Sequence, residues 1–236
     1  MKILAIESSS ITASAAIVTD DCLTAEYTIN HKKTHSQTLL PMIDDICRMT
    51  ETDLKTIDVI AISEGPGSFT GLRIGSATGK GLGLALDTPV VSVATLEAMA
   101  YNMYGTDAII CPIMDAKRKH VYTGIYHFNY YQDKLEIIRM QSLLAVEDLI
   151  SELNELNKKV IFVGDGIDVA YHMIEEMMTA EHMYAPAHMR SQRASSVAIV
   201  GRKMFEQGNA MNAREHLPEY LRPSQAEREL KQKTRG

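Results

Sequence analysis

A glycine-rich stretch, residues 64–86, holds the residues with the clearest potential for chemistry. Five of its glycines recur at a spacing of four: Gly67, Gly71, Gly75, Gly79 and Gly83. Glycines beside a lysine are typical of loops that bind phosphate through backbone amides. Neither phosphate motif is complete, since 75–81 has one spacer too few and a glycine where the P-loop has Ser or Thr, and 65–71 has one residue too many for the dinucleotide fingerprint. The spacing therefore does not favour a phosphate site.

The same spacing has a second explanation on a helix. Residues four apart lie close together on one side, so the five glycines would form a smooth glycine ridge along helix 68–86. Each interior glycine costs about 1 kcal/mol relative to Ala, which close packing has to offset. Outside a narrow polar strip of Arg73, Ser76 and Lys80, the helix is small or apolar nearly all round, as in helices buried on more than one side. We expect one side on the chain's own sheet and the other against its second half or another protein, and the pattern favours another protein.

A second helix, predicted over 34–49, has an apolar arc that covers about half of the helical wheel. Two neighbouring helices with too much apolar surface predict a binding site for a partner protein. The expected contact residues are Leu39, Leu40, Ile43, Ile46, Cys47, Gly67, Gly71, Leu72, Arg73, Gly75, Ser76, Gly79, Leu82 and Gly83. Because the ridge is expected to face the partner, a Gly75→Leu change should weaken binding and leave the fold intact.

The histidines and cysteines do not form a convincing metal site. His31 and His35 are four apart, but they straddle the end of a strand and the start of a helix and have no carboxylate nearby, so we expect exposed side chains. Cys22, Cys47 and Cys111 are scattered, as is typical of reduced thiols. The prediction is that the chain binds no metal.

Length, charge and hydropathy narrow the classes of function. The 236 residues allow one large domain or two small ones. A net charge of −6 argues against a protein that binds nucleic acid by itself, because such proteins displace phosphate counterions with cationic surface. The first residues read as a strand and not a signal peptide, and no apolar run is long enough to span a membrane. We expect a cytoplasmic protein.

The order of predicted elements divides the chain into two halves. A β-β-β-α-β-α-β-α series is followed by a second β-β-β-α-β-α series, with the boundary near 104–107. The predicted units are an N-terminal subdomain over 1–104, which carries the partner-binding helices, and a C-terminal subdomain over 105–222. The polar tail, 223–236, is expected to be disordered; a weak contact of its basic residues with nucleic-acid phosphates stays open.

Three segments resemble the bacterial TsaB (YeaZ) family of tRNA threonylcarbamoyladenosine biosynthesis proteins: "MKILAIESS" at the start, "HSQTLLP" at 35–41 and "SEGPGSFTGLRIG" at 63–75. The resemblance implies the α/β actin-like ATPase (ASKHA) fold, with two small subdomains that each have a mixed sheet. It also implies a homodimer, and in exchange a heterodimer with a TsaD-like threonylcarbamoyltransferase, both made by the two helices singled out above. A TsaE-like ATPase would join the complex, and tRNA would bind only through it.

The resemblance further implies a subunit that does no chemistry. TsaD-like enzymes hold a metal with H-x-x-x-H, where this chain has "TLEAM" with Thr95 and Met99. Glu7 replaces the usual Asp in the turn 7–10, and the turn Gly164 to Gly166 only faintly resembles an adenosine loop. We expect no catalytic residue, cofactor or metal; the alternatives are an actin-fold, kinase-like ATPase and a glycoprotease-like metallopeptidase, and residual nucleotide binding at either turn stays open.

Overall fold

The fold is given by a computed structural model that describes residues 1–32, 34–132 and 134–222. The predicted tail 223–236 lies outside these residues. Two five-stranded mixed sheets, each with helices on its faces, form the molecule. Among the described residues, none of the helices combines the length and apolar character that a membrane crossing needs.

The first sheet contains β1 (Lys2–Glu7), β2 (Thr12–Thr19), β3 (Cys22–Asn30), β4 (Val59–Gly65) and β5 (Val90–Ala94). Their spatial order is β3-β2-β1-β4-β5, with β1 to β3 antiparallel and β1, β4 and β5 parallel. The accompanying helices are α1 (His35–Met49), a 3₁₀ turn (Leu54–Thr56), α2 (Phe69–Leu86) and α3 (Thr95–Tyr101). β1 and β4 are continuous apolar runs because both faces of the sheet are covered.

The second sheet repeats this arrangement. It contains β6 (Ile109–Asp115), β7 (His120–Asn129), β8 (Lys134–Ala145), β9 (Val160–Val163) and β10 (His182–Tyr184), in the order β10-β9-β6-β7-β8. Its helices along the chain are α4 (Val146–Leu156), α5 (Ile167–Met177), α6 (Ala187–Arg190) and α7 (Ala194–Glu206). Both sheets place their first strand at the centre, with antiparallel neighbours on one side and parallel ones on the other. The repeated element order predicted from the sequence is confirmed, and the second half also contains β10 and α6, which were not predicted.

The helices pack in layers that link the two halves. α1 and α2 cover one face of the first sheet, and α7 covers the other. α4 and α5 cover the outer face of the second sheet, whereas α3 packs on its inner face and against α7. One face of the first sheet is therefore covered by α7, a helix that comes late in the chain.

The predicted C-terminal unit, 105–222, is divided in the structure. α7 lies on the first sheet, where a Cβ added at Gly201 would come 2.6 Å from Ala61 Cβ. The C-terminal segment, residues 211–222, then follows the same sheet: Met211 forms an antiparallel bridge with Val90. A sheet that is apolar on both faces needs two covers, and α1 and α2 cover only one of them.

Candidate partner-binding surface and the cleft between the sheets

The glycine ridge of α2 packs on the chain's own first sheet. A Cβ added at Gly71 would lie 2.1 Å from the Ser8 carbonyl oxygen, and one at Gly75 would lie 2.2 Å from Ser8 Oγ. At Gly79 the obstacle would be Ile62 Cδ1, 2.3 Å away. Only glycine permits this close approach of α2 to β1 and β4. The prediction that the ridge faces a partner is therefore wrong.

Burial in the chain's own core also corrects most of the predicted contact residues. Nine of them are buried: Leu39, Ile43, Ile46, Gly71, Leu72, Gly75, Ser76, Gly79 and Gly83. These side chains and backbones face the sheet because α1 and α2 bury their most apolar sides against β1, β2 and β4. Five keep exposed or half-exposed surface: Leu40, Cys47, Gly67, Arg73 and Leu82. The same burial contradicts the expectation that Gly75→Leu would leave the fold intact.

The solvent-facing side of α2 is small and almost uncharged. Its exposed residues are Thr70, Arg73, Ala77, Gly81, Leu84 and Ala85, and the first five follow a spacing of three and four. A helix face that points to water ordinarily carries several charges, and this one carries a single guanidinium. Leu84 leaves 49% of its surface exposed. Ala77, Gly81 and Leu84 were not among the predicted contact residues, although their spacing follows the same helical period as the glycine ridge.

The neighbouring side of α1 adds apolar surface of the same kind. Leu40 is 53% exposed, Pro41 is exposed and Cys47 is half-buried. Ile74 and Leu82 of α2 are half-buried against the same core. We name this surface the α1–α2 face and define it by Leu40, Pro41, Cys47, Ile74, Ala77, Gly81, Leu82 and Leu84. Both helices lie on the same side of the first sheet, so these residues face outward together.

The predicted polar strip of α2 contacts the C-terminal segment. Lys80 Nζ donates to the carbonyl oxygens of Arg214 and His216, each at 2.9 Å. Arg73 lies 4.0 Å above the ring of Phe69, and its Nε donates to Tyr220 Oη at 3.2 Å. The polar strip therefore attaches residues 211–222 to α2, which no local sequence pattern could have indicated.

The turn after β1 is filled by the protein itself. Ser8 Oγ donates to the carbonyl oxygen of Gly71 at 2.9 Å, and Ser10 Oγ donates to Gln192 Oε1 at 2.9 Å. Glu7 accepts a hydrogen bond of 2.6 Å from the Ser9 amide, and its complete burial raises the pKa of its carboxyl group. The hydroxyl groups of Ser8 and Ser10 and the carboxyl group of Glu7 are thus engaged in internal contacts.

The cleft between the sheets gathers carboxyl groups. Burial, together with the charges of Glu219 and Glu97, raises the pKa of Glu64 to about 7. Burial also raises the pKa of Glu97. The Glu219 amide donates to the Glu64 carbonyl oxygen at 2.7 Å, and Gln141 of β8 donates to the Glu219 carboxylate at 2.6 Å. The C-terminal segment thus joins the two sheets across an acidic cleft, an environment that disfavours a polyphosphate.

The other candidate positions are also part of the core. Thr95 is fully buried, with its hydroxyl 2.7 Å from Ser63 Oγ, and Met99 is 1% exposed. At Gly164 a Cβ would lie 2.2 Å from the Ile113 carbonyl oxygen, so this turn is packed on β6. His35 was expected to be exposed but is buried, with Nε2 donating to the Ser10 carbonyl at 2.7 Å, whereas His31 is exposed as expected. Residues 1–32, 34–132 and 134–222 contain no group of three or more potential metal ligands.

Comparisons with known proteins agree on one family. A family model described as TsaD, tRNA N6-adenosine threonylcarbamoyltransferase, matches residues 23–230. The chain is 34% identical over 230 residues to the TsaB protein of Bacillus subtilis, with 96% of each chain covered. It is 28% identical to TsaB of Escherichia coli, with 98% of each covered. Both relatives are described as tRNA threonylcarbamoyladenosine biosynthesis proteins.

A solved structure supports the same assignment. YeaZ from Pseudomonas aeruginosa superposes with a TM-score of 0.79 at 25% identity and covers 93% of this chain and 99% of its own. The actin-like ATPase fold, with one mixed sheet in each of two α/β halves, is confirmed. The chain belongs to the TsaB (YeaZ) family of tRNA threonylcarbamoyladenosine biosynthesis proteins.

Proposed function

We propose that this chain is the non-catalytic partner that a TsaD-type threonylcarbamoyltransferase needs to form threonylcarbamoyladenosine in tRNA. The observation that carries the proposal is the α1–α2 face. It is small, apolar and almost free of charge on α2, as is typical of the centre of a protein–protein contact. The chain would use the face for a homodimer and, in exchange, for the heterodimer with the TsaD-type enzyme.

The residues of the cleft between the two sheets support the proposal that the chain is a non-catalytic subunit. The hydroxyl groups of Ser8 and Ser10 are engaged within the protein, Glu7 is buried and Thr95 and Met99 are packed in the core. The engaged hydroxyl groups and the buried Glu7 argue against the kinase-like ATPase. Thr95 and Met99, at the positions of the two metal-binding histidines, argue against the metallopeptidase. A TsaE-like ATPase and the tRNA would join through the heterodimer, in the cytoplasm.

Reconstitution tests the proposal. The TsaD-type enzyme of the same organism is supplied with an activated threonylcarbamoyl donor and tRNA, with and without this chain, and the modified nucleoside is quantified. We expect modification that depends on the chain, and none from the chain in the absence of the enzyme. Full activity of the enzyme alone, or modification by the chain alone, would overturn the proposal.

A further inference from the structure

The turn between β6 and β7 presents three consecutive basic residues to solvent. Lys117, Arg118 and Lys119 are all exposed, and all three have left-handed backbone conformations, with φ of 66°, 58° and 57°. We name these residues the basic tip. Hydrogen bonds close the turn on both sides: the Ala116 amide donates to the His120 carbonyl at 3.0 Å, and the His120 amide donates to the Lys117 carbonyl at 3.2 Å.

The conformation makes the residue types in the basic tip unexpected. A left-handed backbone costs free energy for every residue with a Cβ, and glycine, asparagine or aspartate ordinarily occupies such positions. Three long cationic residues in succession are therefore a poor choice for folding alone. Backbone strain of this kind is concentrated at functional sites, where the side chains serve another purpose.

Two of the three charges in the basic tip are available to a partner. Lys117 forms an ion pair with Asp115. Within the part of the chain that the structure describes, the side chains of Arg118 and Lys119 form no ion pair. Arg222, at the end of the C-terminal segment, donates to the Ala116 carbonyl oxygen at 2.6 Å and brings a further guanidinium to the base of the turn.

Acidic residues near the basic tip limit the extent of the positively charged surface around it. Glu147 and Asp148 lie in the first turn of α4, and the Val146 amide that begins this helix donates to the Lys119 carbonyl at 3.1 Å. The chain has a net charge of −6, and the positively charged surface of the basic tip is small. Such a surface can contact a few phosphate groups, but it is too small to be an extended nucleic-acid binding groove.

We propose that the basic tip binds phosphate groups of the RNA backbone when RNA is brought to the complex. Arg118 and Lys119 would neutralise phosphates without reading sequence, as lysine and arginine do in sequence-independent contacts. The choice of RNA as the polyanion rests on the proposed function. The basic tip would position tRNA on a subunit that carries out no chemistry.

The test compares a double variant, Arg118→Gln with Lys119→Gln, with a charge-matched control, Lys55→Gln with Lys158→Gln, both of whose lysines are exposed. Each chain is combined with the TsaD-type enzyme, the heterodimer is verified by sizing, and binding of labelled tRNA is followed by fluorescence anisotropy between about 50 and 200 mM salt. We expect the tip variant to bind about fivefold or more weakly at 50 mM salt. The slope of log affinity against log salt should fall by about one to two, since each phosphate contact contributes roughly 0.7–0.9. The control should match the wild type.

A second variant tests the left-handed backbone conformation of the basic tip. Arg118→Gly with Lys119→Gly should raise the melting temperature, because glycine adopts the left-handed conformation freely, and should still lose tRNA affinity. A purely structural turn would gain stability and lose no affinity.

The outcomes separate this inference from the proposed function. If the heterodimer forms but both tip variants bind tRNA like the wild type, the inference is wrong and the proposed function stands. If the tip variants lose the heterodimer instead, the tip contacts protein and the inference is also wrong. If no heterodimer forms even with the wild type, the proposed function fails. The chains are then compared alone with tRNA at about 20 mM salt, where equal binding by tip variant and control, or no binding at all, overturns the inference.

Discussion

Ser8 and Gly71 join the centre of the first sheet to α2 by two contacts. The Ser8 hydroxyl donates to the Gly71 carbonyl at 2.9 Å, and the Ser8 carbonyl oxygen lies 2.1 Å from the place where a Cβ of residue 71 would be. Close approaches of this kind at Gly71, Gly75 and Gly79 explain why glycines of α2 recur every four residues. The contact of Ser8 with Gly71 also closes the turn after β1, which in an actin-fold ATPase would receive phosphate. One packing relationship therefore brings α2 close to the first sheet and engages the hydroxyl group of Ser8.

Gly71→Ala should destabilise the fold. The new Cβ meets a backbone oxygen at 2.1 Å, which cannot turn aside as a flexible side chain could, so we expect a loss of about 1–3 kcal/mol in the free energy of unfolding. Gly81→Ala is the matched control on the same helix, because no atom lies within 4 Å of its Cβ position. The control should be stabilised by up to about 1 kcal/mol through helix propensity. Urea unfolding measures both, and equal stabilities for the two variants would contradict the packing described for α2.

Glu64→Gln should change how stability depends on pH. The pKa of Glu64 is raised to about 7 in the folded protein and is near its ordinary value in the unfolded chain, so the folded state holds the proton more tightly. Stability is therefore lost as pH rises from about 4.5 to 7. Since the side chain is partly exposed, we expect the glutamine variant to exceed the wild type by about 1–2 kcal/mol at pH 8 and by only about a quarter of that amount at pH 5.

Unfolding in urea at both pH values tests this, with the exposed Glu155→Gln as the control that should follow the wild type. A Glu64→Gln variant that differs from the wild type by the same amount at pH 5 and pH 8 would show that the carboxyl group does not titrate in this range.

The isolated chain should not bind MgATP at micromolar concentrations. The hydroxyl groups of Ser8 and Ser10 are engaged within the protein, and the cleft carries the carboxyl groups of Glu64, Glu97 and Glu219, which would oppose a triphosphate. Isothermal calorimetry of the chain alone provides the measurement, with an actin-fold kinase as the positive control. A micromolar dissociation constant with magnesium would revive the ATPase alternative.

The sequence predicted the individual elements well because their patterns are local. Helix 68–86 was expected from its glycine spacing and is observed as α2, with Ser68 as the N-cap residue. The repeated order of strands and helices was likewise visible, because alternating strand and helix periods mark each element without reference to its neighbours.

The sequence did not show which side of α2 packs on the sheet and which side is exposed. A helix that is small and apolar nearly all round has no pattern that distinguishes its sheet side from its partner side. The placement of α7 and of residues 211–222 on the first sheet was also missed, because contacts such as Met211 with Val90 join residues more than a hundred positions apart. The basic tip was overlooked since its left-handed turn contains no glycine, asparagine or aspartate.

The central claim is that the α1–α2 face binds the TsaD-type enzyme, and its most direct test is the affinity of that heterodimer. Leu40→Glu and Leu84→Glu place a carboxylate on the face at positions that are 53% and 49% exposed, so both variants should stay folded. Met140→Glu, at a position that is 69% exposed on β8, is the matched control.

Dissociation constants are measured by biolayer interferometry at micromolar concentrations, after melting temperatures have shown that all chains are folded. An unpaired carboxylate in a desolvated contact should weaken binding by roughly 2–5 kcal/mol, a thirtyfold or greater loss, for Leu40→Glu and Leu84→Glu. Met140→Glu should bind like the wild type. If both face variants bind the enzyme as tightly as Met140→Glu, the α1–α2 face is not the partner site.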